Sequence, residues 1–137
     1  MPYSLEIIHT GDFIHMNDKG GLDVETSKQA LSKLARTCVQ SGITNALLDV
    51  RDAKIDLDFQ DLYEVAEAFK EMGFRKSHRL AVLYRDKASP RVEFFSIKPG
   101  AGAEFFARCA SEQGWNVRAF GDYEQAIEWF SMTSPAE

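Results

Sequence analysis

The sequence predicts a single α/β domain, ordered β-β-α-β-α-β-α-β-α, in which packed helices cover a mostly parallel sheet of about five strands. Three observations predict it. Ile43 to Val50 and Leu80 to Tyr84 are short and largely apolar, the pattern of strands covered on both faces among parallel neighbours. Around them apolar residues recur at helical spacing: Leu31, Leu34, Ala35, Cys38 and Val39, then Phe59, Leu62, Val65, Ala66, Phe69 and Met72. No internal repeat or low-complexity linker divides the 137 residues, so residues 1–131 read as one domain and 132–137 as a polar tail that frays.

Each element has a local reason. Tyr3 to His9 and Phe13 to Met16 carry β-branched and aromatic residues around Thr10-Gly11-Asp12, which predicts a hairpin. Asn17-Asp18-Lys19-Gly20-Gly21 is turn chemistry. The first helix starts either at Thr26, with Gln29 completing a capping box, or about one turn earlier at Asp23; Gly42 is placed to end it in a left-handed turn. Asp58 is placed as N-cap of the second helix, with Asp61 in its first turn and Gly73 beyond its end. Trp115 to Phe120 is a further strand. Asp122 and Gln125 form a capping pair for a last helix whose apolar side is Ala126, Ile127, Trp129 and Phe130. Residues 88–102 have no single reading, because Ser89-Pro90 resembles a helix start and Pro99-Gly100-Ala101-Gly102 interrupts it; Ala103 to Gln113 is the secure helix there.

Composition narrows the functional classes. Hydrophobic residues at 45% and charged residues at 27% match a soluble globular chain. No apolar run approaches the roughly 20 residues needed to cross a bilayer, so the chain is not membrane-spanning. The start, Met1 to Glu6, lacks the basic and apolar stretches of an export signal, which predicts a cytoplasmic location. Cys38 and Cys109 lie in helix-like patterns, far from any ligand spacing, and read as reduced core residues rather than a metal site. A formal charge of -5 argues against nucleic acid, and no basic aromatic surface stands out. Carboxylates from Asp49 to Glu67 precede cations from Arg75 to Arg91, a shift that reads as solvated faces.

The stretch from Asn45 to Phe59 joins a buried strand to an amphipathic helix, and it holds no Ser, Thr, Cys or His. Junctions of this kind present ligands and partners at the carboxyl edge of a sheet. Asp49, Arg51 and Asp52 combine carboxylates with a guanidinium, a set able to orient an anion, a partner's carboxylate or a water. The plainer account is that one Asp ties Arg51 to the loop and satisfies nearby backbone N–H groups.

Gly100-Ala101-Gly102 resembles a dinucleotide loop with Asp122 downstream, but Phe105 stands where close packing wants Gly, so the glycines read as turning the chain. His9, His15 and His78 have no nucleophile or carboxylate motif at recognisable spacing and read as surface or packing residues. Phe94 and Phe95 are candidates to line an apolar pocket or an interface. No catalytic residue, metal set or cofactor loop is identified.

Several phrases together carry a family resemblance: Gly21-Leu22-Asp23, Leu47-Leu48-Asp49-Val50-Arg51-Asp52, His78-Arg79-Leu80-Ala81-Val82-Leu83, and Gly114 to Phe120 leading to Ala126-Ile127-Glu128-Trp129. Over nearly its whole length the chain resembles the SpoIIAA-like branch of the STAS superfamily, whose fold is similar to lipid-binding CRAL-TRIO domains. In anti-sigma-factor antagonists of that superfamily a Ser at the start of the helix after the central strand is phosphorylated to switch partner binding. Here Leu57 and Asp58 fall at that place, so the resemblance implies no such switch. Asp58 is a capping residue first and a fixed negative charge second.

The function expected is a non-enzymatic regulatory or interaction module, binding an unknown protein partner through Asp49, Arg51, Asp52, Asp58 and Asp61. The alternative is a carrier or sensor of a small apolar ligand or lipid, suggested by the kinship to lipid-binding domains and by the Phe-rich segment from Phe94 to Phe106. A homodimer is compatible with either.

Overall fold

Helices that return the chain to one edge of a sheet force the strands they connect to run parallel. The computed structural model describes residues 5–9, 12–85 and 101–132. The order is β1 (Leu5–His9), β2 (Ile14–Asp18), β3 (Gly21–Leu22), α1 (Val24–Ser41), β4 (Asn45–Asp49), β5 (Lys54–Ile55), α2 (Phe59–Glu67), β6 (Arg79–Leu83), α3 (Ala101–Glu112), β7 (Asn116–Phe120) and α4 (Tyr123–Ser131), with a 3-10 turn at Phe69–Glu71. The main sheet runs β1-β2-β4-β6-β7. Only β1 is antiparallel to its neighbour; β2, β4, β6 and β7 pair in parallel. This is the predicted architecture.

Two cores follow from the alternation of side chains along each strand. Ile14, Met16, Ala46, Leu48, Leu80 and Val82 face α1, α2 and α3. Leu47, Ala81, Leu83 and Phe120 face the other way, under Ala126 and Phe130 of α4. Both faces of β4 and β6 are thus dry, which is why these strands read as continuous apolar runs.

Helix ends follow their caps. Asp23, not Thr26, is the N-cap of α1, and the two close a box in which Asp23 Oδ1 accepts from Thr26 N–H at 2.8 Å and Thr26 Oγ1 accepts from Asp23 N–H at 2.9 Å. Gly42 ends α1 at φ 72°, a conformation that a side chain disfavours. Asp122 caps α4 by accepting from Glu124 N–H.

Three expectations need correction. Asn17 and Asp18 are not turn residues but the end of β2, and Gly21–Leu22 pairs in parallel with Lys54–Ile55 as a separate two-stranded ladder. Ladders that short have no hydrophobic period to read. Gly102 does not turn the chain: it lies in the first turn of α3, where a Cβ would sit 3.3 Å from Leu62 Cδ1, so its small size lets α3 approach α2. Phe59, counted on the apolar side of the second helix, is 55% exposed. Phe94 and Phe95, most of the open stretch 88–102, and residues 133–137 of the tail lie outside the described residues.

The larger core is organised by Phe69, 2% exposed, stacked on Phe74 at 4.6 Å and tilted against Trp115 at 5.1 Å. Phe69→Ala should therefore lower unfolding free energy by about 3–5 kcal/mol in urea titration, whereas Phe59→Ala, at an exposed site, should change it by about 0.5 kcal/mol or less.

Candidate interaction site at the carboxyl edge of the sheet

Strand register brings together residues that the sequence separates. Parallel pairing sets His15 beside Leu47 and Asn17 beside Asp49, so His15 and Asp49 share one face of the sheet. Asp49 is 2% exposed. Its Oδ2 meets His15 Nε2 at 3.2 Å and Arg51 Nη2 at 2.8 Å, and its Oδ1 accepts from Arg51 Nε at 3.0 Å and from the Arg51 backbone N–H at 3.1 Å. Burial by itself would push the Asp49 carboxyl up. The hydrogen bonds from His15 and Arg51, with the Arg51 charge, outweigh it and hold the group well below the usual carboxylate range. An ionised carboxylate only accepts, so His15 Nε2 carries the hydrogen of their bond.

The loop after Asp49 is fixed at several further points. Val50 N–H donates to Leu83 O at 2.9 Å. Arg85, just past β6, donates from Nη2 to Asp52 Oδ1 at 2.8 Å and from Nε to Arg51 O at 3.1 Å. Farther along, Lys54 N–H donates to Gly20 O at 2.9 Å and Asp56 N–H to Leu22 O at 2.8 Å. Asp58 and Asp61 then cap α2 reciprocally: Asp61 N–H donates to Asp58 Oδ1 at 2.8 Å, and Asp58 N–H to Asp61 Oδ2 at 3.2 Å.

The candidate residues therefore divide by position. Asp49 is buried and acts on its surroundings through Arg51, whose side chain is 42% exposed. Asp52 is exposed and paired with Arg85. Asp58 is exposed at the start of α2, and Asp61 is half-buried one turn on.

Sequence reasoning missed the apolar part of this surface. Ile55, Phe59 and Tyr63 are 49%, 55% and 49% exposed, and the spacing of four residues sets Phe59 and Tyr63 on one face of α2. The Phe59 ring rests on Phe105 of α3 at 4.9 Å. Exposed Asp56, Asp58 and Glu64 are interspersed with them along the chain. The available signal was the position of Phe59 as the first residue of the helix, ahead of the Leu62, Val65 and Ala66 positions that reach the core.

The histidines also part company. His15, read as lacking a carboxylate, has Asp49, supplied by strand pairing across 34 residues. His78 is a packing residue: it is buried, stands edge-on to Phe74, and accepts from Arg75 N–H at its Nδ1. Asp18, at the buried end of β2, accepts from Gly20 N–H at 3.0 Å, while its Oδ2 has no hydrogen-bond partner among the described residues. Burial pushes its carboxyl up, partly offset by that bond. Among the described residues no group of His, Cys, Asp and Glu is arranged to hold a metal ion, and no helix is long and apolar enough to cross a membrane.

Solved structures share the fold. An anti-sigma factor antagonist from Mycobacterium paratuberculosis is 13% identical, with a TM-score of 0.55 over 95% of this chain and 95% of that one. An uncharacterised protein of the DUF3478 family from Shewanella loihica, described as having a SpoIIAA-like fold, is 17% identical, with a TM-score of 0.51 over 93% of both chains. The chain has the SpoIIAA-like fold, as the resemblance implied. No family model matches the chain, and no curated protein does.

Asp49 gives the site a pH signature. A carboxyl held below its ordinary value of 3.8 contributes stability that is present above that value and lost as the pH falls through the folded one. Asp18, shifted upward, contributes with the opposite sign, its stability present at low pH and lost as the pH rises. Asp49→Asn should cost about 1–3 kcal/mol at pH 7 in urea titration, because Arg51 and His15 lose a charged acceptor but Arg51 stays half in water. The variant should also lose less stability than wild type between about pH 5 and pH 3.

Proposed function

We propose that this protein is a non-enzymatic regulatory module of STAS type that captures a protein partner on the face running from Arg51 to Tyr63. The observation that carries the reading is the exposed apolar set Ile55, Phe59 and Tyr63, interspersed with exposed carboxylates on a loop whose backbone is tied at both ends. Apolar residues held rigidly at the surface lose little freedom on binding, and aromatic side chains dominate the energetics of interfaces. The SpoIIAA-like fold and the anti-sigma factor antagonist among its structural neighbours support a protein as the partner.

Recognition of this kind is constitutive. From Asn45 to Leu62 the chain has no Ser or Thr, so the junction offers no hydroxyl for the phosphorylation that switches SpoIIAA-like antagonists. Arg51, oriented by Asp49, supplies guanidinium donors at one end of the face, and Asp58 supplies a charge at the helix start. The alternative of an apolar-ligand carrier draws no support from Phe105 and Phe106, which pack against Phe59 and Phe69 respectively.

Tagged wild-type protein purified from its native cell should retain a partner in near-equal amount by mass spectrometry. Phe59→Asp should weaken its affinity for that partner about tenfold or more in calorimetry, with an unchanged melting curve. Equal binding by the variant would remove this face from the interaction.

A further inference from the structure

Charge separates along the strand axis. Opposite the carboxyl edge, the segment leading into β6 carries Arg75 and Lys76, and Arg79 and Arg118 follow in β6 and β7; Lys76, Arg79 and Arg118 lie against the two tryptophans of the chain. Arg79 and Arg118 each place Cζ 5.7 Å from the Trp129 ring centroid, and Arg118 lies 5.6 Å from that of Phe120. Lys76 Nζ stands 4.0 Å over Trp115. Trp115 packs on the α1–α3 side of the sheet and Trp129 on the α4 side, and the strand ends join them: Arg79 pairs with Asn116, whose Nδ2 donates to Lys76 O at 2.8 Å. Gly114, at φ 96°, makes room, because a Cβ there would lie 2.8 Å from Lys76 Nζ. Strand order supplies the basic aromatic surface that the sequence does not display.

Some of this charge is used internally. Arg79 Nη1 donates to the carbonyls of Trp129 and Phe130 at the end of α4, and Lys76 Nζ donates to Gln113 O. Arg75 and Arg118 are different: both are exposed, and neither guanidinium has a hydrogen bond or ion pair among the described residues. The ion pairs of the described residues, His15–Asp49, Lys28–Glu64, Arg51–Asp49 and Arg85–Asp52, involve none of these cations.

We propose that this surface is a second docking site, which binds an extended carboxylate-rich segment of a partner protein. Guanidinium groups held against an indole keep a fixed direction and present paired N–H donors, the geometry that carboxylates accept bidentately. The same contacts argue against a nucleic acid. The Trp129 ring is engaged by guanidinium groups instead of lying open as a stacking platform for bases. The site is independent of the face from Arg51 to Tyr63.

The probe is an oligo-glutamate peptide, followed by intrinsic tryptophan fluorescence, with single-stranded oligodeoxythymidylate as competitor. Wild type should bind the peptide in preference to the oligonucleotide, and added salt should weaken binding. Arg118→Glu should weaken it about tenfold or more, and adding Arg75→Glu should weaken it further. Both positions are exposed, so the melting curve should be preserved, and Phe59→Asp should bind the peptide like wild type. Oligonucleotide binding as tight as peptide binding would overturn the proposal in favour of nucleic acid. Unchanged affinity in the double variant, or no binding at low ionic strength, would overturn it outright.

Discussion

The buried carboxylate of Asp49 is the constraint on which the rest of the sheet's carboxyl edge depends. It ends the central strand of the sheet at a point from which water is excluded, so its charge must be met from within. His15 meets it from the neighbouring strand and Arg51 from its own loop. The backbone that carries Arg51 is in turn gripped by Arg85, just past the end of the strand on the other side. Three adjacent strands are thereby tied through one polar chain at the edge where the loop departs. Removing one member leaves the others exposed to the same desolvation, which makes the arrangement cooperative.

This chain of contacts explains how an exposed loop becomes a defined surface. Beyond Asp49 the path is stitched by the β3–β5 ladder and then handed to α2 by the reciprocal Asp58–Asp61 cap. Leu22 of β3 is buried, but both β5 residues are exposed, and Ile55, Phe59 and Tyr63 stay outside. Clustered charges at this junction suggest an active site at first sight. The geometry instead uses most of them to hold the loop and leaves apolar and aromatic side chains as its outward chemistry. The opposite edge inverts the pattern, with aromatic rings as the support and cations as the outward chemistry. The two surfaces lie at opposite ends of the strands of one sheet.

Most of the fold was legible because its signals are local and repeated. The β4 and β6 runs, the helical spacing of α1 and α2, the Asp58 cap and the Gly42 terminator each follow from a few adjacent residues. What escaped was set by register. The His15–Asp49 contact exists because Asn17 pairs with Asp49, a choice made across more than thirty residues by burial of Ile14 and Met16 against α1. The cationic patch depends on β6 and β7 being neighbours, and the setting of Phe59 on the packing of α2 against α3, where its ring meets Phe105. Gly102 misled because a small residue in a helix serves a neighbour, here Leu62, and not its own backbone.

Hydrogen exchange at the amides of Lys54 and Asp56, compared between wild type and Asp49→Asn, tests most directly whether this carboxylate sets the loop. Both amides donate to carbonyls of the segment Gly20–Leu22 and should be protected in the wild type. In the variant their exchange should accelerate about tenfold or more, while the amide of Ile43, bonded to Cys38 O at the far end of α1, keeps its wild-type rate relative to global stability. Unchanged exchange at Lys54 and Asp56 would show that the loop holds its shape without Asp49 and would contradict the account.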